Sequence, residues 1–353
     1  MSDVIVGDLS CTELMTTGVP LVDARHAAGI AKSHYGLAGA VQVLNGERDA
    51  NFLVRTAQGS FVLKVINPAE QPSVTTFQTQ ALLHIERSGA DLPVPRVVAD
   101  LEGGFESTVR LGEDSYSVRV VTFLEGVPQN LGNPSIALMH DLGSTLAKID
   151  IALRSFEHPG AQRSLLWDVG HAERIRALSQ ALSPRQYQLV SKLLDRHERE
   201  VKPRLVGMRS QVIHNDLNPA NVLLDATNRR VAAVIDFGDA LQANLINELG
   251  TALAYQFDAD AADPFWQIKP FVAAYNALIP LAVDELEVLG DLIAVRMAMA
   301  ITIAQWRAEL YPNNRTYVLR NLINTWRNLQ RLAELDPAAL SLALRTACES
   351  EHA

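Results

Sequence analysis

Two short apolar runs joined by a polar turn constrain this chain more than any other stretch. The first is Val212-Ile-His-Asn-Asp-Leu-Asn-Pro-Ala-Asn-Val-Leu-Leu-Asp225, and the second is Val231-Ala-Ala-Val-Ile-Asp-Phe-Gly-Asp239. Such a pattern predicts a β-hairpin of short strands. The loop that enters the first strand carries His214, Asp216 and Asn221, while Asp236 ends the second strand. The hairpin therefore gathers two carboxylates and an amide at one end.

This set of groups suits phosphoryl transfer from a nucleotide. In that reaction one carboxylate accepts the proton of the attacking hydroxyl, while an Asn and a second Asp hold divalent cations on the phosphates. His-x-Asp, then four residues and Asn, then Asp-Phe-Gly after a strand, is the kinase signature order. We therefore predict Asp216 as the general base and Asn221 with Asp236 as magnesium ligands. The alternative is that both motifs only mark turns between core strands, but their ordered occurrence across one hairpin favours the kinase interpretation.

Upstream, three alternating segments at residues 41–44, 51–56 and 60–66 predict an antiparallel meander. Lys64 lies in the third segment among apolar neighbours, where a lysine is usually paired or functional. In a kinase it would reach the α- and β-phosphates. The turn that ends at Asn51 lies where a kinase places a loop over the phosphates, although an ordinary hairpin turn fits equally well.

A hinge is predicted where the strand at residues 116–124 meets Glu125-Gly-Val-Pro128. The backbone around Thr122 and Leu124 would bind the purine edge there, unless the segment is a plain strand end. Before it, residues 73–87 form a helical stripe that would supply an acid to pair with Lys64. The helix offers Gln80 and Glu86, and the sequence leaves open whether Gln80 replaces that acid.

Helical periodicity dominates after the hinge, and the helices that it predicts include one near residues 170–182 and one over 316–335. The chain is therefore divided into a lead-in at residues 1–35, a sheet-rich N-lobe at 36–126 and a helical C-lobe at 127–353. The fold class is α+β, with two lobes.

Composition indicates which binding partners and which cellular compartment are expected for this protein. The net charge of −9 over 353 residues argues against nucleic acid as the main partner. Cys11 and Cys348 have no metal-type spacing and are most simply thiols of a cytoplasmic protein. No signal peptide is predicted at the start. The apolar stretch at residues 289–306 contains Asp291 and Arg296, which favours a buried helix over a membrane span.

With those residues placed, the chain resembles the aminoglycoside phosphotransferase and choline kinase superfamily, and within it the hydroxylysine kinase-like members. The resemblance covers about residues 35–335 and rests on the catalytic loop, Trp167-Asp168, and the segments at 234–240, 247–254 and 296–326. It implies a protein-kinase-like fold, Mg²⁺, and ATP or GTP as co-substrate. It also implies the roles given above for Asp216, Asn221, Asp236 and Lys64.

The acceptor is the least constrained part of the prediction. The resemblance implies a hydroxylated amine or amino acid, and Asp239 and Glu248 would form an anionic edge for its ammonium group. The alternative is that Glu248 caps its helix and Asp239 satisfies turn backbone. Asn218 would touch the attacked hydroxyl or cap a turn, and Arg296 would bind a helix carboxylate or a substrate carboxylate.

Two other functions stay open at this point. One is an antibiotic phosphotransferase acting on aminoglycosides or macrolides, and the other is a nucleotide-binding pseudoenzyme or regulatory module. A homodimer is also open.

Overall fold

The computed structural model of the protein describes residues 16–46 and 48–350. Cys11 and the first fifteen residues of the predicted lead-in lie outside these ranges. The rest of the lead-in contains helix α1, Ala24–Tyr35, whose N-cap Asp23 accepts a hydrogen bond from the His26 N–H. Within the described ranges, no helix combines the length and apolarity that a membrane crossing requires.

The N-lobe is built on one antiparallel sheet with the strand order β1-β2-β3-β6-β4, and β5 pairs with β6. Its strands are β1 Gly39–Leu44, β2 Ala50–Thr56, β3 Gly59–Val65, β4 Val97–Val98, β5 Ser107–Leu111 and β6 Asp114–Thr122. The predicted meander corresponds to β1, β2 and β3, which pair as antiparallel neighbours.

Strand alternation gives the sheet two different faces. Leu63 and Val65 of β3 are fully buried in a cluster with Ile30 and Ala31 of α1. Because successive side chains point to opposite faces, Lys64 points away from α1. That opposite face also receives helix α2, Pro72–Arg87. The sheet therefore turns its one central lysine toward the cleft.

A short linker joins the lobes. Strand β6 ends at Thr122, and β7, Val127–Pro128, already pairs with β9, Val222–Leu224. Strand β9 also pairs with β10, Val231–Val234, which forms the predicted hairpin. The segment before the motif is not part of this hairpin, since β8, Ser210–Ile213, pairs with β11, Leu241–Asn244.

Helices make up most of the C-lobe and share one large core. They are α3 Ile136–Leu153, α4 Pro184–Arg196, α5 Lys202–Leu205, α6 Leu245–Leu253, α7 Ile268–Leu278, α8 Val283–Leu310, α9 Arg315–Val318, α10 Leu322–Glu334 and α11 Pro337–Ser350.

Two of the predicted C-lobe helices differ from the structure. The segment expected as a helix near residues 170–182 is a 3₁₀ helix, Val169–Ala181, interrupted by non-helical backbone at His171. The helix expected over 316–335 is broken between α9 and α10. Periodicity of apolar residues continues across a one-turn interruption, so the sequence pattern did not reveal either break.

Candidate functional site

The catalytic-loop carboxylate, Asp216, is held by two amides of the same loop. The Asn218 Nδ2 donates to both carboxylate oxygens at 3.0 Å, and the Asn221 Nδ2 donates to Oδ2 at 2.7 Å. His214 supports the loop from beneath, because its Nδ1 accepts from the Asp216 N–H while Nε2 lies 3.1 Å from the Ile235 carbonyl. Burial lowers the pKa of His214, in keeping with a neutral ring that orients backbone.

The surroundings of Asp216 favour the protonated form of its carboxyl group. Burial, followed by the negative charge of Asp239, raises the pKa of Asp216 to about 7 against the opposing effect of Arg296. A general base is most effective when its pKa lies near the working pH. The raised pKa of Asp216 therefore suits the role of base that is predicted for it.

The second carboxylate, Asp236, has the opposite electrostatics. It lies 3.4 Å from the Lys64 ammonium, which is the largest of the causes that hold the pKa of Asp236 well below its usual range. Its backbone is left-handed, with φ +64°, and its Oδ1 accepts from the Gly238 N–H. Aspartate tolerates this conformation better than most residues. The two predicted carboxylates thus differ, one ready to take a proton and one fixed as an anion.

Helix α2 contacts the Asp-Phe-Gly turn through Gln78. The Gln78 Nε2 donates to the Gly238 carbonyl at 3.2 Å, while its Oε1 accepts from Arg119 Nη2 at 2.6 Å. Gln80 is half-buried and Glu86 is exposed, and neither forms an ion pair with Lys64 in the described part of the chain. The residue that faces the site from this helix is therefore Gln78, which the sequence analysis had not considered.

Arg119 lies beside Lys64 on the same face of the sheet, since the two residues are register partners. It is 4% exposed and donates to Gln78, to the Thr79 hydroxyl and to the Thr75 carbonyl. Among residues 16–46 and 48–350 it makes no salt bridge with a carboxylate. The side chain that α2 presents here is thus a glutamine, Gln78, which binds Arg119, while Lys64 pairs with Asp236.

The β1–β2 turn closes over the Asp-Phe-Gly turn by an ion pair. Arg48 Nη2 lies 2.7 Å from Oδ1 of Asp239. The turn is tight, because a Cβ at Gly46 would lie 2.2 Å from the Asp49 carbonyl oxygen. Asn51, the predicted phosphate-loop residue, follows at the start of β2 and directs its Nδ2 toward the Asp49 carbonyl at 3.5 Å. Arg48 gave no signal in the sequence, because its partner lies 191 positions away.

The linker leaves backbone groups available at the back of the cleft. Thr122 is engaged on both sides, since its N–H donates to the Arg96 carbonyl and its hydroxyl accepts from the Arg96 N–H. Phe123 donates to the Ser60 carbonyl at 2.9 Å. Within the described residues, the backbone N–H and carbonyl of Leu124 make no hydrogen bond. Of the two predicted hinge residues, Leu124 is therefore the one whose backbone N–H is free to bind a purine, since the Thr122 N–H is already used.

Arg296 of α8 lies against the base. It is 2% exposed, and its Nη2 lies 3.4 Å from Asp216 Oδ1 and 3.0 Å from the Tyr255 hydroxyl. Its guanidinium stacks over the Trp167 ring at 4.3 Å, a favourable cation–π distance. The carboxylate nearest to Arg296 is thus that of Asp216 in the catalytic loop, not the helix carboxylate that was one of the two expectations, and a contact with a substrate carboxylate stays a prediction.

Glu248 is the predicted substrate residue that the structure does not bring to the cleft. It is fully buried, and its two carboxylate oxygens accept from the Asn215 N–H at 3.2 and 3.0 Å. Burial raises its pKa to about 7. Glu248 therefore forms neither the anionic edge nor the helix cap that was predicted. Its side chain instead binds the catalytic loop at Asn215, where the backbone is left-handed with φ +64°.

The donor set at the mouth of the loop suits a hard divalent cation. Asp236 is anionic and its side chain is 44% exposed, and Asn221 contributes an amide oxygen. Oxygen ligands of this kind fit Mg²⁺, which keeps several waters and is completed by substrate phosphates. In the described ranges no group of three His, Cys, Asp or Glu side chains could hold a metal without such help.

Comparison with known proteins points the same way. The model of the family described as "Phosphotransferase enzyme family" matches residues 40–281. Hydroxylysine kinase of Mus musculus is 24% identical over 348 residues, covering 91% of this chain and 92% of that protein. Homoserine kinase of Azorhizobium caulinodans is 28% identical over 278 residues, covering 76% of this chain and 78% of that protein. Among solved structures, a microcompartment-associated aminopropanol kinase matches with a TM-score of 0.69 at 21% identity, over 88% of this chain and 98% of that one.

Proposed function

Because the chain belongs to the phosphotransferase enzyme family, we propose that it is a magnesium-dependent kinase of a small hydroxylated amine or amino acid. It transfers the γ-phosphoryl group of ATP or GTP to the acceptor's hydroxyl. The observation that carries this proposal is the convergence of Asp216, Asn221, Asp236 and Lys64 at one end of the cleft. These four groups are the ones that phosphoryl transfer requires.

In the proposed reaction the acceptor hydroxyl lies against Asp216. Its oxygen forms a bond to the γ-phosphorus as the bond from that phosphorus to the β–γ bridging oxygen breaks, and its proton passes to the Asp216 carboxylate. Lys64 holds the α- and β-phosphates, and Asn221 with Asp236 would hold Mg²⁺. The cation neutralises charge on the phosphates when it is bound.

The acceptor class rests on the relatives and on the charges beside the base. Hydroxylysine, homoserine and aminopropanol, named in three of the matching proteins, each combine an amine with a hydroxyl. Asp239 is an anion within electrostatic range of Asp216 and is suited to an ammonium group. An antibiotic acceptor remains the competing proposal, although no contact of the described residues favours it.

A screen of acceptors tests the proposal. The protein is assayed with Mg²⁺ and either ATP or GTP against hydroxylysine, homoserine, ethanolamine, choline, sugars and aminoglycosides. Asp216→Asn should lower turnover by several orders of magnitude while nucleotide binding stays within a few-fold. Asp225→Asn, in the turn at the far end of the same hairpin, is the matched control and should keep normal turnover.

Three outcomes separate the hypotheses. Turnover on an amino alcohol or amino acid that is lost in Asp216→Asn supports the proposal. Turnover confined to aminoglycosides moves the function to an antibiotic kinase. Nucleotide binding without turnover on any acceptor supports a binding module instead.

A further inference from the structure

The β1–β2 turn holds Arg48 in place through its backbone. Asn67, which is 1% exposed, donates from Nδ2 to the Arg48 carbonyl at 3.1 Å, and its own N–H donates to Oδ1 of Asp49 at 3.0 Å. The Arg48 carbonyl and the side chain of the next residue are thus fixed to Asn67, two positions beyond the end of β3. The side chain is 24% exposed, and its guanidinium end pairs with Asp239.

That tip reaches across the cleft to the Asp-Phe-Gly turn. Arg48 Nη2 is 2.7 Å from Asp239 Oδ1 and 3.0 Å from the place that a Cβ at Gly238 would take. Arg48 also acts electrostatically on Asp236, the proposed magnesium ligand. Lys64 and Arg48 therefore each pair with one of the two carboxylates that flank Phe237-Gly238.

The position of Arg48 suits phosphate better than it suits a permanent surface pair. A guanidinium binds phosphate oxygens in a bidentate manner, and phosphates held on Mg²⁺ at Asp236 would lie within range of the same nitrogen atoms. Asp239, for its part, is a buried carboxylate, and Arg48 is the one cation in the described chain that forms an ion pair with it, whereas Arg163 acts on it only electrostatically. Without Arg48 this carboxylate requires another cation, since a buried unpaired charge is costly.

We propose that Arg48 exchanges partners when nucleotide binds: it pairs with Asp239 before binding, moves to the terminal phosphates of the nucleotide, and leaves Asp239 to bind the acceptor's ammonium group. The binding of an ammonium group by Asp239 rests on the proposed amine acceptor, whereas the movement of Arg48 to the phosphates does not. Nucleotide binding takes Arg48 away from Asp239, and amine binding takes Asp239 away from Arg48. Each ligand therefore raises the affinity of the protein for the other. Arg48 is thereby a phosphate-binding residue and also determines when the amine subsite opens.

Binding measurements on Arg48→Met test this exchange without relying on turnover. By calorimetry with Mg²⁺, affinity for the non-hydrolysable triphosphates AMP-PNP and GMP-PNP should fall roughly tenfold or more, the size expected for one charge-assisted contact. Affinity for AMP and GMP should change less than about twofold. Arg55→Met, which removes an exposed arginine of β2 paired with Gln42, is the matched control and should leave both affinities unchanged.

The amine arm uses hydroxylysine, homoserine and ethanolamine as probes, with and without AMP-PNP. In the wild type at least one amine should bind several-fold more tightly when AMP-PNP is present. Without nucleotide, that amine should bind Arg48→Met more tightly than it binds the wild type. Adding AMP-PNP should then raise the amine affinity of Arg48→Met only slightly.

The reciprocal variant, Asp239→Asn, keeps the inference testable if Arg48→Met does not fold. It releases Arg48, so AMP-PNP should bind more tightly while the amine is lost. Equal loss of AMP and AMP-PNP affinity in Arg48→Met, or weaker AMP-PNP binding in Asp239→Asn, would overturn the exchange. If no probe amine binds the wild type in either state, the acceptor proposal fails, while the triphosphate arm still decides the role of Arg48.

Discussion

The guanidinium of Arg296 lies 3.4 Å from the carboxylate of Asp216 and is buried against the ring of Trp167. In the described part of the chain its Nε and Nη1 have no hydrogen-bond partner, so the charge of Arg296 acts chiefly on Asp216. Arg296 lowers the pKa of Asp216, which burial has raised to about 7.

Replacing Arg296 with Met should therefore move the acidic limb of the pH–rate profile to higher pH. The base must be deprotonated, so raising its pKa further costs activity mainly below pH ~8, and the loss should be larger at pH 6 than at pH 9. The measurement is kcat/KM from pH 5.5 to 9.5. Arg296→Lys, which keeps the charge, should restore most of the limb, and a uniform loss at all pH values would show that Arg296 acts only in packing.

We predict that turnover depends on Gln78 because its side-chain amide donates a hydrogen bond to the Gly238 carbonyl, which a carboxylate cannot do. Gln78→Glu creates a carboxylate facing the Gly238 carbonyl, while the new charge pairs with Arg119. We expect kcat to fall about tenfold or more, the effect of losing one hydrogen bond with added repulsion, while the melting temperature changes little.

Gln80→Glu is the matched control for that experiment. It makes the same chemical change two residues along α2 at a half-buried position, and its turnover should stay close to the wild-type value. A larger effect at Gln80 than at Gln78 would restore the role that the sequence analysis considered for Gln80.

Glu248 should make stability fall as pH rises. Its pKa is raised from 4.5 to about 7 in the folded protein, so the folded state binds the extra proton between these values. This contribution is fully present below pH 4.5 and is lost by pH ~7, with a size on the order of 3 kcal/mol. Glu248→Gln mimics the protonated acid and should lack this loss. Unfolding free energies of both proteins, measured by urea titration from pH 4.5 to 8, should diverge by that amount, whereas parallel curves would contradict the assignment.

Asp236→Asn should weaken magnesium use without distorting the backbone. Asparagine tolerates the left-handed conformation at this position, whereas alanine would add strain of roughly 1–2 kcal/mol. The Mg²⁺ concentration that gives half-maximal turnover should rise about tenfold or more. Asp225→Asn again serves as the control, and an unchanged magnesium dependence in Asp236→Asn would remove Asp236 from the metal site.

Local patterns in the sequence predicted the framework well. The hairpin, the meander and the position of Lys64 follow from alternation and turn chemistry within about thirty residues, and the structure contains each of them. The α+β two-lobed fold, the family and the phosphotransferase activity are confirmed. The roles of the individual site residues remain predictions.

What the sequence could not reveal depends on contacts between distant segments. Which glutamine of α2 faces the site follows from the rotation of that helix against β6, where Arg119 selects Gln78. The burial of Glu248 follows from the packing of α6 beneath the catalytic loop. Arg48 lies between Glu47 and Asp49, two acids adjacent to it in the sequence, so only the folded chain shows that it meets Asp239.

The pairing of β7 with β9 determines where the two lobes can rotate relative to each other. Phe123 is tied to Ser60 of the N-lobe, and Gly126 is wedged at the C-lobe, where a Cβ would lie 2.7 Å from that of Leu223. Only Leu124 and Glu125 lie between these anchors. Any rotation of one lobe against the other would therefore be centred on the backbone beside Leu124. We expect such a rotation to displace a purine bound there only slightly and to displace most the β1–β2 turn, at the far edge of the sheet, whose Arg48 pairs with Asp239.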